Sequence, residues 1–285
     1  MQKKLLKIFQ ELEQDYKELI VQTDSSNNIF QCVMKAAFAK SYEFNCLCNN
    51  LSNPHDSFFL MASLRGICED LISIKYLKEK ITIDRELLLS LLVQKGTFEG
   101  IIVQRNFFKE NKPEQIIIDN ENFDELFDKL SIDIKSILIK NGLKGDKEFP
   151  SVAQMATDTN LIKLYKYLYY ATSKLVHFSP GLLMRLGWAE NMTSTTFKFS
   201  TKNFHKYYYD FNSYYAAFIF IEFYKAFKKD LELEKKFKGQ IKQIVNLLDD
   251  QLRMPEIVTF EECNMKPPSV ITQLLLKSIK RLSEK

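Results

Sequence analysis

Residues 58–77, FFLMASLRGICEDLISIKYL, and residues 161–180, LIKLYKYLYYATSKLVHFSP, decide the fold of this chain. In both, apolar side chains recur every three to four residues over several turns, the period of an α-helix rather than of a strand. Each stretch also sets polar groups into that apolar pattern: Arg65 and Glu69 in the first, Tyr169, Ser173 and His177 in the second. The chain has only six arginines against 34 lysines. An arginine in mid-helix therefore reads as chosen for forked, bidentate hydrogen bonding, which lysine cannot supply. The pattern predicts a buried polar site.

Outward from these segments the helical period continues, helped by a low content of glycine (8) and proline (7). The reading is helices at about 2–22, 29–50, 56–80, 84–110, 121–141, 160–178, 202–229, 231–252 and 268–284. Thr201 is the expected N-cap of the long aromatic helix, Ser151 with Gln154 fits a capping box, and Pro267-Pro268 fits a helix start. One stretch breaks the pattern: between Pro180 and Phe204, the alternation Phe197, Lys198, Phe199, Ser200 predicts a small β-hairpin near 183–200. The fold class is thus all-α, a mostly helical bundle with one hairpin. It reads as a single domain over 1–285, with a peripheral insertion at about 111–150 and a C-terminal loop and helix at about 253–285.

Composition narrows the function. Forty basic and 36 acidic residues leave a net charge of +4, a mild bias that permits a nucleic-acid partner without demanding one. The N-terminus, MQKKLLKIFQELEQDYKELI, reads as an amphipathic helix and not a leader. The apolar run SYYAAFIFIEFY at 213–224 is too short to span a bilayer, so no membrane association is expected. Five cysteines (Cys32, Cys46, Cys48, Cys68, Cys263) form no disulfide framework and read as reduced thiols of a cytoplasmic protein. Cys46, Cys48 and His55 match no zinc spacing, GTFEG at Gly96 lacks the lysine of a phosphate loop, and no cofactor is expected. The 14 Phe and Tyr of residues 197–227 could stack single-stranded bases, but aromatics at helical spacing read first as core.

The polar constellation carries the functional expectation. Arg65 and Glu69, four apart, can pair directly on one helix face; the pair either fixes helix register or leaves the guanidinium donors to an anionic ligand. Tyr169, Ser173 and His177 follow at steps of four, along one stripe. His177 falls at a helix end, because Ser179 precedes Pro180 and is pushed out of the α region. There it could serve as cation or general acid toward phosphate, with a new turn starting at Pro180 and capped by Ser179. His55 reads as surface loop, and nothing in the sequence orients His205.

RGICEDLISIKYL together with FPSVAQMATDTNLIKLYKYLYYATSKLVHFSP resembles a family of uncharacterised bacterial helical proteins that is grouped by similarity with the HEPN superfamily. The resemblance rests on the Arg-x3-Glu step at Arg65, the FPSVAQMA lead-in and the Tyr-x3-Ser-x3-His series, and covers roughly residues 30–225. It implies an all-helical, often dimeric protein, either an RNA-cutting component of defence or stress systems or a non-catalytic binding module. Active HEPN ribonucleases carry an arginine four to six residues before the catalytic histidine. Tyr170, Ala171 and Thr172 stand before His177, and Lys198 before His205 lacks the fork. Cleavage without a metal would then need Arg65 from a neighbouring helix.

The expectation is a HEPN-like RNA- or nucleotide-binding protein of a bacterial antiviral defence or stress system. Arg65 and His177 are its candidate catalytic residues; Glu69, Tyr169 and Ser173 bind or orient the ligand. Whether the chain is a ribonuclease stays open at this point. The alternative is a non-catalytic interaction module in which the same polar residues are structural, its partner a second copy or another protein.

Overall fold

Long stretches of the chain contain nothing to interrupt an i→i−4 hydrogen-bond ladder, and the structure follows them. The computed structural model describes residues 1–21, 28–118, 123–143, 149–189, 195–260, 263 and 265–283. Along these the chain forms twelve α-helices: α1 Gln2–Glu11, α2 Glu13–Ile20, α3 Ile29–Asn49, α4 Ser57–Lys80, α5 Arg85–Asn111, α6 Phe123–Lys140, α7 Val152–Asp158, α8 Ile162–Val176, α9 Pro180–Arg185, α10 His205–Phe227, α11 Leu233–Asp249 and α12 Val270–Ser283. A 3-10 turn, Pro54–Asp56, leads into α4. Two short strands, β1 Gly187–Trp188 and β2 Lys198–Phe199, pair antiparallel with Gly187 opposite Phe199 and Trp188 opposite Lys198. The protein is all-α with one small hairpin, as the sequence predicts; residues 190–194 of the stretch predicted as that hairpin lie outside the described residues.

Helix ends carry the main departures. The predicted helix 2–22 breaks at Leu12, whose N–H is shared between the carbonyls of Ile8 and Phe9 (both 3.2 Å). Ser151 does cap a helix, the short α7, by accepting from Gln154 N–H. Thr201 is not the cap of α10. That helix starts four residues later, because Asn203 turns its amide to the carbonyls of Leu186 (2.6 Å) and Lys198 (2.9 Å) and ties the segment to the hairpin. Phe204 then precedes α10 in the left-handed region, at φ 58°. α12 starts at Val270, two residues after the expected 268, with Ser269 as its cap accepting from Thr272 N–H (3.1 Å).

The chain divides into two compact units. The first comprises the described residues of Met1–Val21, Lys35–Leu71 and Lys163–Lys285. Its core is built on α10, where Phe211, Phe220, Phe223 and Phe227 are almost wholly enclosed. Phe220 meets Phe9 and Phe38 with ring centroids at 5.1 Å, and Phe38 meets Phe237 edge-on at 5.4 Å. Most of the aromatic run is therefore core rather than a base-stacking platform. Buried amides fix the same region: Asn45 Nδ2 donates to the carbonyls of Ser41 (2.8 Å) and Ala216 (3.1 Å), Asn49 Nδ2 to Asn45 O (2.8 Å), and Asn212 Nδ2 to Ser57 O (2.7 Å). Two of them, Asn45 to Ala216 and Asn212 to Ser57, link α3 and α4 to α10 by specific partners, which apolar contacts alone do not.

The second unit comprises the described residues of Gln22–Met34 and Ile72–Ile162. Here α5 packs on α6, which buries Leu130, Ile134, Ile137 and Leu138; this helix occupies much of the stretch read as a peripheral insertion. Asn141 closes the unit like an extra strand partner. Its Oδ1 accepts from the N–H groups of Thr82 (2.9 Å) and Ile83 (3.0 Å), and its Nδ2 donates to Ile83 O (3.0 Å). Arg85 lies over the Phe30 ring at 3.9 Å.

Candidate functional site

The candidate site forms within the first unit, between the first half of α4 and α8. The inward stripe of α4 is Leu64, Ile67, Cys68 and Leu71, all enclosed, and Arg65 and Glu69 fall one step off it. Their side chains are each 26% exposed. On α8 the enclosed positions are Leu168, Ala171 and Thr172, which leaves Tyr165 half-buried and Tyr169 exposed on the flank. The polar site is therefore a half-open surface and not the buried one that the apolar setting predicts. The helical period is as expected, but its phase puts hydrophobic neighbours inward and the polar groups at the rim.

At that rim the geometry is well defined. Arg65 Nε donates to Glu69 Oε1 at 2.7 Å, and the guanidinium carbon sits 4.5 Å from the centre of the Tyr169 ring, a cation–π contact. Tyr165 packs on Tyr169 with centroids 5.4 Å apart. The hydrogen bond to Glu69 raises the already high pKa of Arg65, so the guanidinium is a permanent cation. Burial, then the Glu69 carboxylate, raises the Tyr165 phenol, keeping it a neutral hydroxyl donor. Only Nε of the fork is engaged: among the described residues, neither terminal nitrogen of Arg65 makes a hydrogen bond.

The other predicted residues stand apart from this trio. Ser173 is half-buried, and its carbonyl accepts the His177 N–H at 2.9 Å as the last turn of α8 closes. His177 lies one residue beyond the helix, with an exposed imidazole that has no hydrogen-bond partner among the described residues. Ser179 is extended (φ −140°) and its hydroxyl accepts from Leu182 N–H, so α9 does begin at Pro180 as the sequence implies. The structure thus brings together Arg65, Glu69 and Tyr169. It does not join Ser173 or His177 to them.

Two features escape the sequence reading. Tyr165 belongs with Tyr169, and the i, i+4 tyrosine spacing was the available signal. His55 and His205, 150 positions apart, lie with ring centroids 4.2 Å apart and planes tilted by 57°, and His205 Nδ1 is 3.3 Å from Lys202 O. His205 is thus oriented after all, in part by His55, a contact no local pattern could show. Among the described residues no group of three or more His, Cys, Asp or Glu is placed to hold a metal ion, and no helix is long and apolar enough to cross a membrane.

The chain belongs to a family of unknown function (DUF5677), which matches residues 27–195. The matched stretch contains Arg65, Glu69, Tyr165, Tyr169, Ser173 and His177, and ends before α10. No curated protein and no solved structure matches the chain.

Proposed function

We propose that this member of the family binds RNA or a nucleotide through the Arg65 face, as a HEPN-like protein of a bacterial defence or stress system. One observation carries the reading: a guanidinium held on two sides, by Glu69 and by the Tyr169 ring, with both terminal nitrogens turned to no protein acceptor among the described residues. A pre-oriented arginine fork suits a phosphate, which takes two parallel N–H donors. Tyr169 and Tyr165 lie beside it as faces for a base or ribose. A reducing cytoplasmic setting goes with this reading, since Cys48 and Cys68 are enclosed thiols.

The geometry supports binding over cleavage. A general base needs a partner that fixes its tautomer and direction, and His177 has none among the described residues. The test is the affinity for a short single-stranded RNA, read by fluorescence anisotropy at two salt concentrations. Arg65→Ala is expected to weaken binding about ten- to a hundredfold, the worth of a charge-assisted hydrogen bond, and to lower the salt slope by about one. Arg65→Lys keeps the charge and loses the fork, so it recovers the salt slope but not the affinity. His177→Ala binds like wild type. Equal RNA affinity in Arg65→Ala and wild type, both folded, would refute the proposal and leave the Arg65–Glu69 pair as a structural element of an interaction module.

A further inference from the structure

The outward side of α8 is basic and uncompensated. Its enclosed positions are Leu168, Ala171 and Thr172. The opposite side carries Lys163, Lys166, Tyr170 and Lys174, three or four residues apart and so in one row. From Thr159 to Ala189 there is no aspartate or glutamate, in a chain that carries 36 of them. Elsewhere on the first unit lysines stand beside acids, as Lys17 does with Glu13, Lys206 with Asp210 and Lys225 with Glu222. On α8 that pattern stops. Lys163 and Lys166 are exposed and make no ion pair among the described residues. Lys174 meets Tyr170, whose hydroxyl accepts from its Nζ (2.9 Å) and whose ring centre lies 4.1 Å away, a phenol and not a carboxylate.

The Arg65 site adjoins this row. Tyr169, which holds the guanidinium at 4.5 Å, is the neighbour of Tyr170, so one side of the unit gathers Arg65, Lys163, Lys166 and Lys174 with a single acid, Glu69, among them. From Lys163 to Lys174 the helix rises about 17 Å. A lone nucleotide on Arg65 would leave most of that row unanswered, whereas a strand carries a phosphate with every residue. Tyr169 and Tyr170 stand among the cations, 37% and 52% exposed. Rings so placed meet the faces of bases only where those bases are unstacked, in a single strand.

We infer that α8 extends the Arg65 site into a track for single-stranded RNA. Lys163, Lys166 and Lys174 take its phosphates beside Arg65, and Tyr170 takes a base. One phosphate for each cation gives about four nucleotides, the short end of the roughly 4–16 that single-strand sites cover. The inference rests on the RNA reading of the Arg65 face and deepens it, since the ligand becomes a strand and not a mononucleotide.

Uridine 5′-monophosphate, tetrauridylate, octauridylate and poly-L-glutamate are set to compete with fluorescein-labelled octauridylate for the full-length protein, read by anisotropy at several salt concentrations. Affinity is expected to rise about tenfold or more from the monophosphate to the tetramer, the worth of at least one further charge-assisted contact. The salt slope of the octamer should lie near −3, about 0.7 for each of four cations. Lys163→Gln combined with Lys166→Gln should weaken octamer binding and flatten that slope by about 1.4. Tyr170→Ala should lose about fivefold or more at an unchanged slope, because it removes a stacking face and no charge. Lys236→Gln, which changes a lysine paired with Glu18 on α11, should bind like wild type. A monophosphate that binds as tightly as the octamer, and is still lost in Arg65→Ala, overturns the track and leaves the Arg65 reading standing; no binding of any RNA overturns both. Wild-type slope in the double lysine variant or wild-type affinity in Tyr170→Ala also overturns the track. So does competition by poly-L-glutamate equal to that of the octamer, in favour of an acidic protein partner.

Discussion

Glu232, just before α11, sits in the left-handed region at φ 53°. Leu233 N–H donates to Lys228 O (2.8 Å) and Glu232 N–H to Lys229 O (3.4 Å), the paired bonds of a Schellman turn. The same turn ends α6 at Gly142 (φ 74°) and α7 at Asn160 (φ 60°), closed by Leu143 N–H to Leu138 O and Leu161 N–H to Ala156 O. Glycine and asparagine suit this conformation, whereas a glutamate carries the steric cost of its Cβ, roughly 1–2 kcal/mol. Glu232→Gly is expected to stabilise the protein by about 0.5–1 kcal/mol, since glycine's larger unfolded-state entropy offsets part of the gain. A denaturant midpoint that stays put or falls would contradict this. The strain has no local signature: in KKDLELEKK nothing announces a left-handed residue.

Among the elements, α10 has the largest share of the core, and the consequence is measurable at Phe220. That ring touches Phe9 of α1 and Phe38 and Tyr42 of α3, so truncation leaves a hole that two other helices would have to fill. Phe220→Ala should cost about 3–5 kcal/mol, against well under half that for Phe197→Ala, whose side chain is 57% exposed. Thermal melts of the two variants side by side give the comparison. The helices themselves were readable from apolar periodicity because burial imposes that period. Their ends were less so: Thr201 lost its predicted role because Asn203 found better acceptors across the hairpin. The site was readable in part for the same reason. Arg65, Glu69 and Tyr169 stand close together as two helical stripes suggest. Their degree of exposure depends on helix phase, and His177 depends on where α8 stops, and periodicity fixes neither.

At the scale of the whole molecule, burial keeps a set of weak acids neutral among the described residues. Burial pushes the Cys68 thiol up to about 12 and raises Cys46 and Cys48 as well; burial likewise raises Tyr42, Tyr167 and Tyr215. In the unfolded chain the thiols ionise near their ordinary value of about 8.5. Above that pH the unfolded state releases protons that the folded state retains. Stability is therefore fully present below about pH 8.5 and is lost as pH rises toward 12, each thiol adding up to about 1.4 kcal/mol per pH unit. Urea unfolding between pH 7 and 10 should show this decline, and Cys68→Ala, though less stable at pH 7, should show a shallower one. Equal slopes in the two proteins would mean that Cys68 ionises alike in both states.

The amide ladder that links α3 and α4 to α10 gives the protein a chemical clock. Each of Asn45, Asn49 and Asn212 spends its –NH2 on backbone carbonyls, while the side-chain oxygens of all three accept no bond among the described residues. Deamidation turns that arrangement upside down: Asn45→Asp would set a carboxylate against the two carbonyl oxygens of Ser41 and Ala216, acceptor facing acceptor with no donor between them. Inside the folded protein, the rigid helical backbone slows the ring closure that deamidation requires. A chain deamidated at Asn45 while unfolded would have to bury that carboxylate on refolding, and would return to a less stable fold.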